Sequence, residues 1–307
     1  MKKAEICYPN FTKKAITFSI DDGHAVHDTH FLSIVRPAGI LGTFNLCSNR
    51  VDKDTAPEIY RGYEIANHCK HHPLAFDDDV TYNIAATVYD PENRDPAYIY
   101  PHPTLKGVYY TQRSPERWRL LTDADTYIAF IKECHEELEE IFGEGSVKSF
   151  VWPFFEQNSE KVKQYLASTS YYGVRKTGVI KDTTGFNLPE DPMRWCCNAT
   201  HSCLLEVMES FENYPDDGRL KLFSFGVHSA DFESSGRWAE LEEFARRYGN
   251  RDNEFWYATV GDIFNYNNVV NSLIWENDSV CNPSGRTVYL KVDGERVMLA
   301  PSETVRL

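Results

Sequence analysis

The sequence predicts an α/β protein: a distorted parallel (β/α) barrel carrying a small C-terminal β appendage. Three observations predict it. Short, almost wholly apolar strand candidates alternate with helix-length segments, the pattern of strands buried on both faces. Several of these strands end abruptly in Asp or His, and barrels carry their chemistry at the C-terminal strand ends. After about residue 267 the rhythm changes to a β-hairpin.

Ala15-Ile16-Thr17-Phe18-Ser19-Ile20 is the first strand, stopping at Asp21-Asp22-Gly23. Gly42 to Leu46 and Tyr63 to Asn67 follow, the latter ending at His68. Residues 74–120 interrupt the alternation. Their prolines, among them Pro91, Pro96, Pro101 and Pro103, exclude a regular helix. This stretch is read as a long loop insertion, and its aromatic residues, Tyr109 and Tyr110 among them, as one wall of a substrate groove. A helix is expected from about Asp123 to Phe142, because Tyr127, Ile131, Cys134, Leu138 and Ile141 fall on one face and Gly143 ends it. A strand from Ser149 to Trp152 and a helix capped by Ser159 come next. Leu204, Val207, Met208 and Phe211 mark another helix, and Leu220 to Val227 a strand ending at His228. Trp238, Leu241, Phe244 and Tyr248 mark a helix, and Phe255 to Val260 a strand. Thr287 to Leu299 is a hairpin turning at Asp293-Gly294. The expected division is a barrel domain over 1–267 and a β extension over 268–307.

Composition narrows the function. A net charge of −14 with no dense basic run argues against nucleic acid. No stretch approaches the ~20 apolar residues of a membrane helix. The eight cysteines are scattered, with no repeated Cys-x-x-Cys, so neither a zinc ribbon nor a disulfide framework is expected. Free thiols and the lack of an apolar segment after Met1-Lys2-Lys3 predict a cytoplasmic protein. Oligomeric state, a homo-oligomer included, is left open.

The strand ends supply a coherent set of groups. Two histidines four apart, His68 and His72, with one carboxylate make a facial metal site. A second carboxylate beside it can act as general base. Each piece has a plainer reading, since Asp-Asp-Gly also makes turns and His pairs also decorate surfaces. The three motifs in this order make the chemical reading the stronger one. His24, His27 and His30 lack a further ligand set and are read as rim residues. His201, in a polar loop, is a candidate for the cleft.

These residues resemble the motifs of the polysaccharide deacetylase family, carbohydrate esterase family 4, over roughly residues 12–265. Ser19-Ile20-Asp21-Asp22-Gly23 is similar to its first motif, which makes Asp21 the implied general base and Asp22 a metal ligand. His68-Cys69-Lys70-His71-His72 is similar to the second, with His68 and His72 as ligands, although Cys69 replaces a Ser or Thr. Trp152-Pro153-Phe154 partly matches the third, a substrate-binding element. Gly226-Val227-His228 resembles the last, which makes His228 the implied general acid. The arginine that orients the base in the third motif is missing; Arg175 or Arg194 could replace it from another strand, and Arg175 is the choice. The resemblance implies a divalent-metal hydrolase, Zn²⁺ first with Co²⁺, Ni²⁺ or Fe²⁺ compatible, that removes an acetyl group from an N-acetylated sugar. The alternatives are a non-sugar amide or O-acetyl ester as substrate, and a catalytically weak glycan binder.

Overall fold

The computed structural model describes residues 4–76, 87–89, 96–102, 104–114, 117–176 and 181–307. The chain opens with β1 (Ala4–Cys7) and β2 (Lys14–Asp22), then α1 (Ala25–Val35), β3 (Thr43–Leu46), α2 (Ala56–Ile59) and β4 (Glu64–Asn67). Five strands follow: β5 (Leu74–Ala75), β6 (Thr87–Tyr89), β7 (Pro96–Pro101), β8 (Val108–Ser114) and β9 (Arg117–Thr122). Next come α3 (Ala124–Phe142), β10 (Val147–Val151), α4 (Glu160–Ala167), β11 (Gly173–Arg175), α5 (Leu204–Glu212) and β12 (Lys221–His228). The remaining elements are α6 (Ser229–Ser235), α7 (Trp238–Tyr248), β13 (Phe255–Tyr257), α8 (Val260–Asn271), β14 (Ile274–Glu276), β15 (Ser279–Cys281), β16 (Val288–Val292), β17 (Glu295–Leu299) and β18 (Thr304–Arg306).

The main sheet is parallel, in the order β11-β10-β4-β3-β2-β12. β12 takes one edge of β2 along almost its whole length. The other edge is shared, β13 on its first residues and β3 on its last. β11 and β12 are the two ends of this curled half-barrel. Isolated bridges from Arg175 to Trp195 and from Ala199 to Phe225 span between them through an irregular segment. That segment is the distortion of the barrel.

β2 explains why the core and the site lie back to back. Side chains alternate across a strand. Ile16, Phe18 and Ile20 point to the helices, where Phe18 meets Phe31 at 5.0 Å and Phe44 at 5.5 Å. Thr17, Ser19 and Asp21 line the opposite, polar interior, where Asn45 Nδ2 donates to Ser19 Oγ at 2.8 Å and Asp21 Oδ1 at 2.6 Å. The helices start where their caps dictate. Asp123 accepts from the Thr126 amide, Ser159 from Val162 and Thr259 from Asp262. α3 buries Tyr127, Phe130, Ile131, Cys134 and Leu138, the apolar stripe of the sequence.

Two boundaries differ from expectation. The insertion is not an irregular loop: β5-β9-β8-β7-β6 form a five-stranded sheet, antiparallel except for β5 with β9. Pro96 and Pro101 sit at the two ends of β7, where a missing amide costs the ladder least. The division at 267/268 falls inside α8, and β1 pairs with β16. The N-terminal strand therefore belongs to the appendage sheet, and Tyr266 on α8 donates its hydroxyl to the Cys7 carbonyl at 2.6 Å. No helix among the described residues is long and apolar enough to cross a membrane.

Candidate active site

β2, β4 and β12 end at the same mouth of the sheet, and their last residues surround a cavity of about 390 Å³. Asp21, Asp22, His68, His72, Phe154, Arg175 and His228 line it together.

The metal-competent group is compact. The ligand atoms of Asp22, His68 and His72 lie within 4.8 Å of one another. Asp22 Oδ1 is 3.5 Å from Nε2 of each histidine. The histidines do not lie on a helix turn. They converge because the loop after β4 runs through left-handed backbone at Cys69, His71 and His72, with φ of 59°, 67° and 52°. Asp22 itself has φ of 80°. Such conformations are costly for residues with a Cβ and gather at functional sites. The His68 Nδ1 sits 2.9 Å from the Val151 carbonyl. It must donate there, so Nε2 keeps its lone pair for the centre of the group. Burial and the neighbouring His68 push His72 down to about 3, so its imidazole is neutral. Burial works against ionised Asp22, but the surrounding His24, His68 and His72 outweigh it and keep the carboxyl far below its ordinary value. Asp22 Oδ1 is buried without a hydrogen-bond donor; Arg50 Nη1 is 3.0 Å away but not in hydrogen-bond geometry. A buried carboxylate oxygen facing two imidazole lone pairs fits a divalent cation.

Asp21 points into the same cavity from the next position of β2. Arg175 Nη2 and Asn45 Nδ2 both donate to its Oδ1. Asp21 and Arg175 are both almost fully buried. Burial raises the Asp21 carboxyl, and the Arg175 charge overturns that, leaving it below its usual value. Arg175 is thus the charge partner, delivered by β11 rather than by the strand before Trp152. Gly226 on β12 makes room for it: a Cβ there would lie 3.0 Å from Arg175 Nη1. Arg194 is exposed and pairs with Glu156 instead.

His228 ends β12 in register with Asp21. Its Nδ1 is 2.9 Å from Asp231 Oδ2, and its Nε2 is 3.8 Å from Asp22 Oδ2. The Asp231 hydrogen bond, opposed by burial and helped by Asp21 and Asp22, raises His228 to about 9.

The substrate-binding expectations divide. Phe154 lines the cavity, with its ring 4.4 Å from His72 and Arg119 stacked over it at 4.4 Å. Tyr109 packs with Phe76, Phe154 and Phe155 around Leu74 and Leu121 and is not among the residues that line the cavity. The Tyr110 side chain lies outside the described residues. Trp152 is 3% exposed and packs between Tyr127 and Phe150, and Pro153 is buried beside it; both support the fold rather than face the groove. An indole this close to the core gains more from burial than from solvent. His201 is not among the lining residues, whereas its neighbour Thr200 is. His24 is at the rim, 3.5 Å from Asp22, while His30 stacks on Trp238 at 4.0 Å.

Three contributors were not anticipated from sequence: Asn45, Arg50 and Asp231. Only Asp231 had a readable signal. It stands three residues after His228, the spacing of a reciprocal helix cap, and its carboxylate also accepts from the His228 amide at 3.1 Å. Asn45 lies within β3 and Arg50 shortly after it, with nothing in sequence to mark either.

A family model and known structures match the chain, and one of the structures shares its fold. A putative polysaccharide deacetylase from Mycobacterium smegmatis superimposes with a TM-score of 0.53 at 15% identity, over 88% of this chain and 96% of that one. The Xyl-CE4 domain of a multidomain xylanase from the hindgut metagenome of Trinervitermes trinervoides gives 0.45 at 16% identity, over 84% and 92%. A CE4 esterase from Streptococcus mutans gives 0.45 at 13%, over 83% and 92%. No curated protein sequence matches the chain. The family model for polysaccharide deacetylase matches residues 9–174, which contain the Asp-Asp-Gly and His-x-x-x-His segments, and the chain belongs to that family.

Proposed function

We propose that this chain is a metal-dependent hydrolase that removes an acetyl group from the amide nitrogen of an N-acetylated sugar. The observation that carries the reading is the convergence of a two-His, one-Asp group, an ionised buried Asp and a protonated His on one cavity.

Asp22, His68 and His72 would hold the ion, with Zn²⁺ suited to two imidazoles and one carboxylate. A bound divalent ion supplies a Lewis acid for the acetyl carbonyl and makes water acidic enough to attack near neutral pH. Asp21 takes the attacking water's proton. It is available as a base because Arg175 and Asn45 keep it ionised and fix its orientation. His228 holds a proton at neutral pH and gives it to the departing nitrogen, which otherwise leaves poorly. Asp231 holds the imidazolium and fixes the ring, so that Nε2 is the donating atom. Phe154, with Tyr109 behind it, offers an apolar wall for a sugar ring.

Acetate and free amine released from N-acetylglucosamine oligomers by the Zn²⁺-loaded protein test the reading, beside parallel O-acetyl ester and small cyclic amide panels. Turnover of esters alone, or of nothing, would reject N-deacetylation. Asp21→Asn should retain metal and lose on the order of 10²-fold or more in kcat.

A further inference from the structure

A second cavity is larger than the candidate active site. It is a cleft of about 1010 Å³ lined by residues of β1, α8 and β14 and by Leu220, the residue that precedes β12. His228 ends that strand, so cleft and candidate active site lie at opposite ends of the sheet, roughly 26 Å apart at about 3.3 Å per residue.

We propose that this cleft is a second glycan-binding site, and that it prefers chains bearing free amino groups. Trp275 on β14 stands at its wall with 45% of its surface exposed. Only four large apolar residues among those described are so open, and Trp275 is the one that lines a cavity. An indole face half in water is a stacking platform for a flat, weakly polar ring. Asn187, Asn267 and Asn271 line the same cleft. Primary amides offer donors and acceptors together, which matches hydroxyls that need both. A nucleic-acid base would also stack, but its phosphates would meet carboxylates here.

Charge selects among sugars. Glu5, Glu190, Asp216 and Asp217 line the cleft, against Arg219. Lys13 lies 3.7 Å from Glu5, and Lys221 pairs with Asp217 at 2.7 Å. Glu190 and Asp216 make no ion pair among the described residues and remain to attract a cation. The chain as a whole carries −14. A glucosamine unit is cationic, whereas an N-acetylglucosamine unit is neutral. On the proposed reading such amines are the product of the active site. The cleft would therefore hold a polymer already partly deacetylated while another stretch reaches the active site, raising its local concentration. The appendage gains a role by supplying Trp275.

The choice of ligand rests on the proposed deacetylation; the test does not. Glucosamine oligomers are titrated calorimetrically into the full-length Zn²⁺-loaded protein, beside N-acetylglucosamine oligomers of equal length. Glucosamine oligomers should bind more tightly, and added salt should narrow the gap. Trp275→Ala should weaken their binding at least ten-fold, and Trp275→Phe less. Both variants should keep wild-type thermal stability and wild-type turnover of a short N-acetylated oligomer. Asp216→Asn with Glu190→Gln should remove the preference for amines. Equal binding by wild type and Trp275→Ala would overturn the site, and equal affinity for the two oligomers would overturn the amine preference. A chain that binds through Trp275 yet never deacetylates leaves the cleft standing. One that deacetylates but does not bind there removes the cleft alone.

Discussion

Arg175→Met isolates the charge that, on the proposed reading, keeps Asp21 ionised as the base. The two side chains are 3% and 6% exposed, so water cannot replace the guanidinium. Removing one partner of a buried pair typically costs about 3–5 kcal/mol, because the remaining charge is stranded. The sign follows from the shift. Asp21 is held below its ordinary value in the folded protein, so the pair's stabilisation is present above about pH 4 and is lost as pH falls through the folded value. Without Arg175, burial is opposed only by His68, His228 and the Asn45 hydrogen bond, and the Asp21 pKa rises. The variant should be destabilised by about 3–5 kcal/mol at pH 7 in urea unfolding. Its acidic limb of kcat/KM should move to higher pH while metal content stays at one per chain. Arg175→Met with Asp21→Asn should recover much of the stability but none of the activity, since neither charge is then stranded. An Arg175→Met protein with unchanged stability and an unchanged acidic limb would refute the assignment of Arg175 as the charge partner.

Four further outcomes are expected. Asp28, buried and hydrogen-bonded to Ser229 at 2.5 Å and Tyr60 at 2.7 Å, is raised to about 6 by burial against the pull of those bonds. Its contribution is full below about pH 4 and lost as pH rises through 6, so unfolding of wild type and Asp28→Asn should diverge by roughly 3 kcal/mol, in the variant's favour, between pH 4 and 7. His68→Ala with His72→Ala should abolish stoichiometric metal in elemental analysis, and full retention would place the ion elsewhere. Tyr109→Ala with Tyr110→Ala should raise KM for oligosaccharides more than it lowers kcat; an unchanged KM would reduce these rings to packing. His228→Ala should recover part of its lost rate on substrates with a good leaving group, which need no proton donor, and equal losses on good and poor leaving groups would exclude the general-acid role.

What the sequence determined by itself is what short-range periodicity encodes. β2, β3, β4 and β12 lie within a residue or two of the apolar runs that predict them, and α3 and α4 begin at the Asp and Ser that cap them. Asp21, Asp22, His68 and His228 could be picked out as candidates because each stands at the end of such a run, and His72 by its four-residue spacing from His68; parallel strands bring their C-terminal ends to one mouth. The insertion was misread as a loop because its prolines exclude helix but not strand ends, where β7 places them. Trp152 was misread because an aromatic residue at a strand end does not disclose which face it takes. The sequence offered no local reason to choose Arg175 over Arg194, and the tertiary structure supplies one. That choice depends on β11 closing toward β12 beside a glycine, and on which guanidinium is withdrawn from water: Arg175 is buried against Asp21, Arg194 paired at the surface with Glu156. Charge pairing across 154 residues leaves no local pattern, since its energy is decided by burial and separation in space.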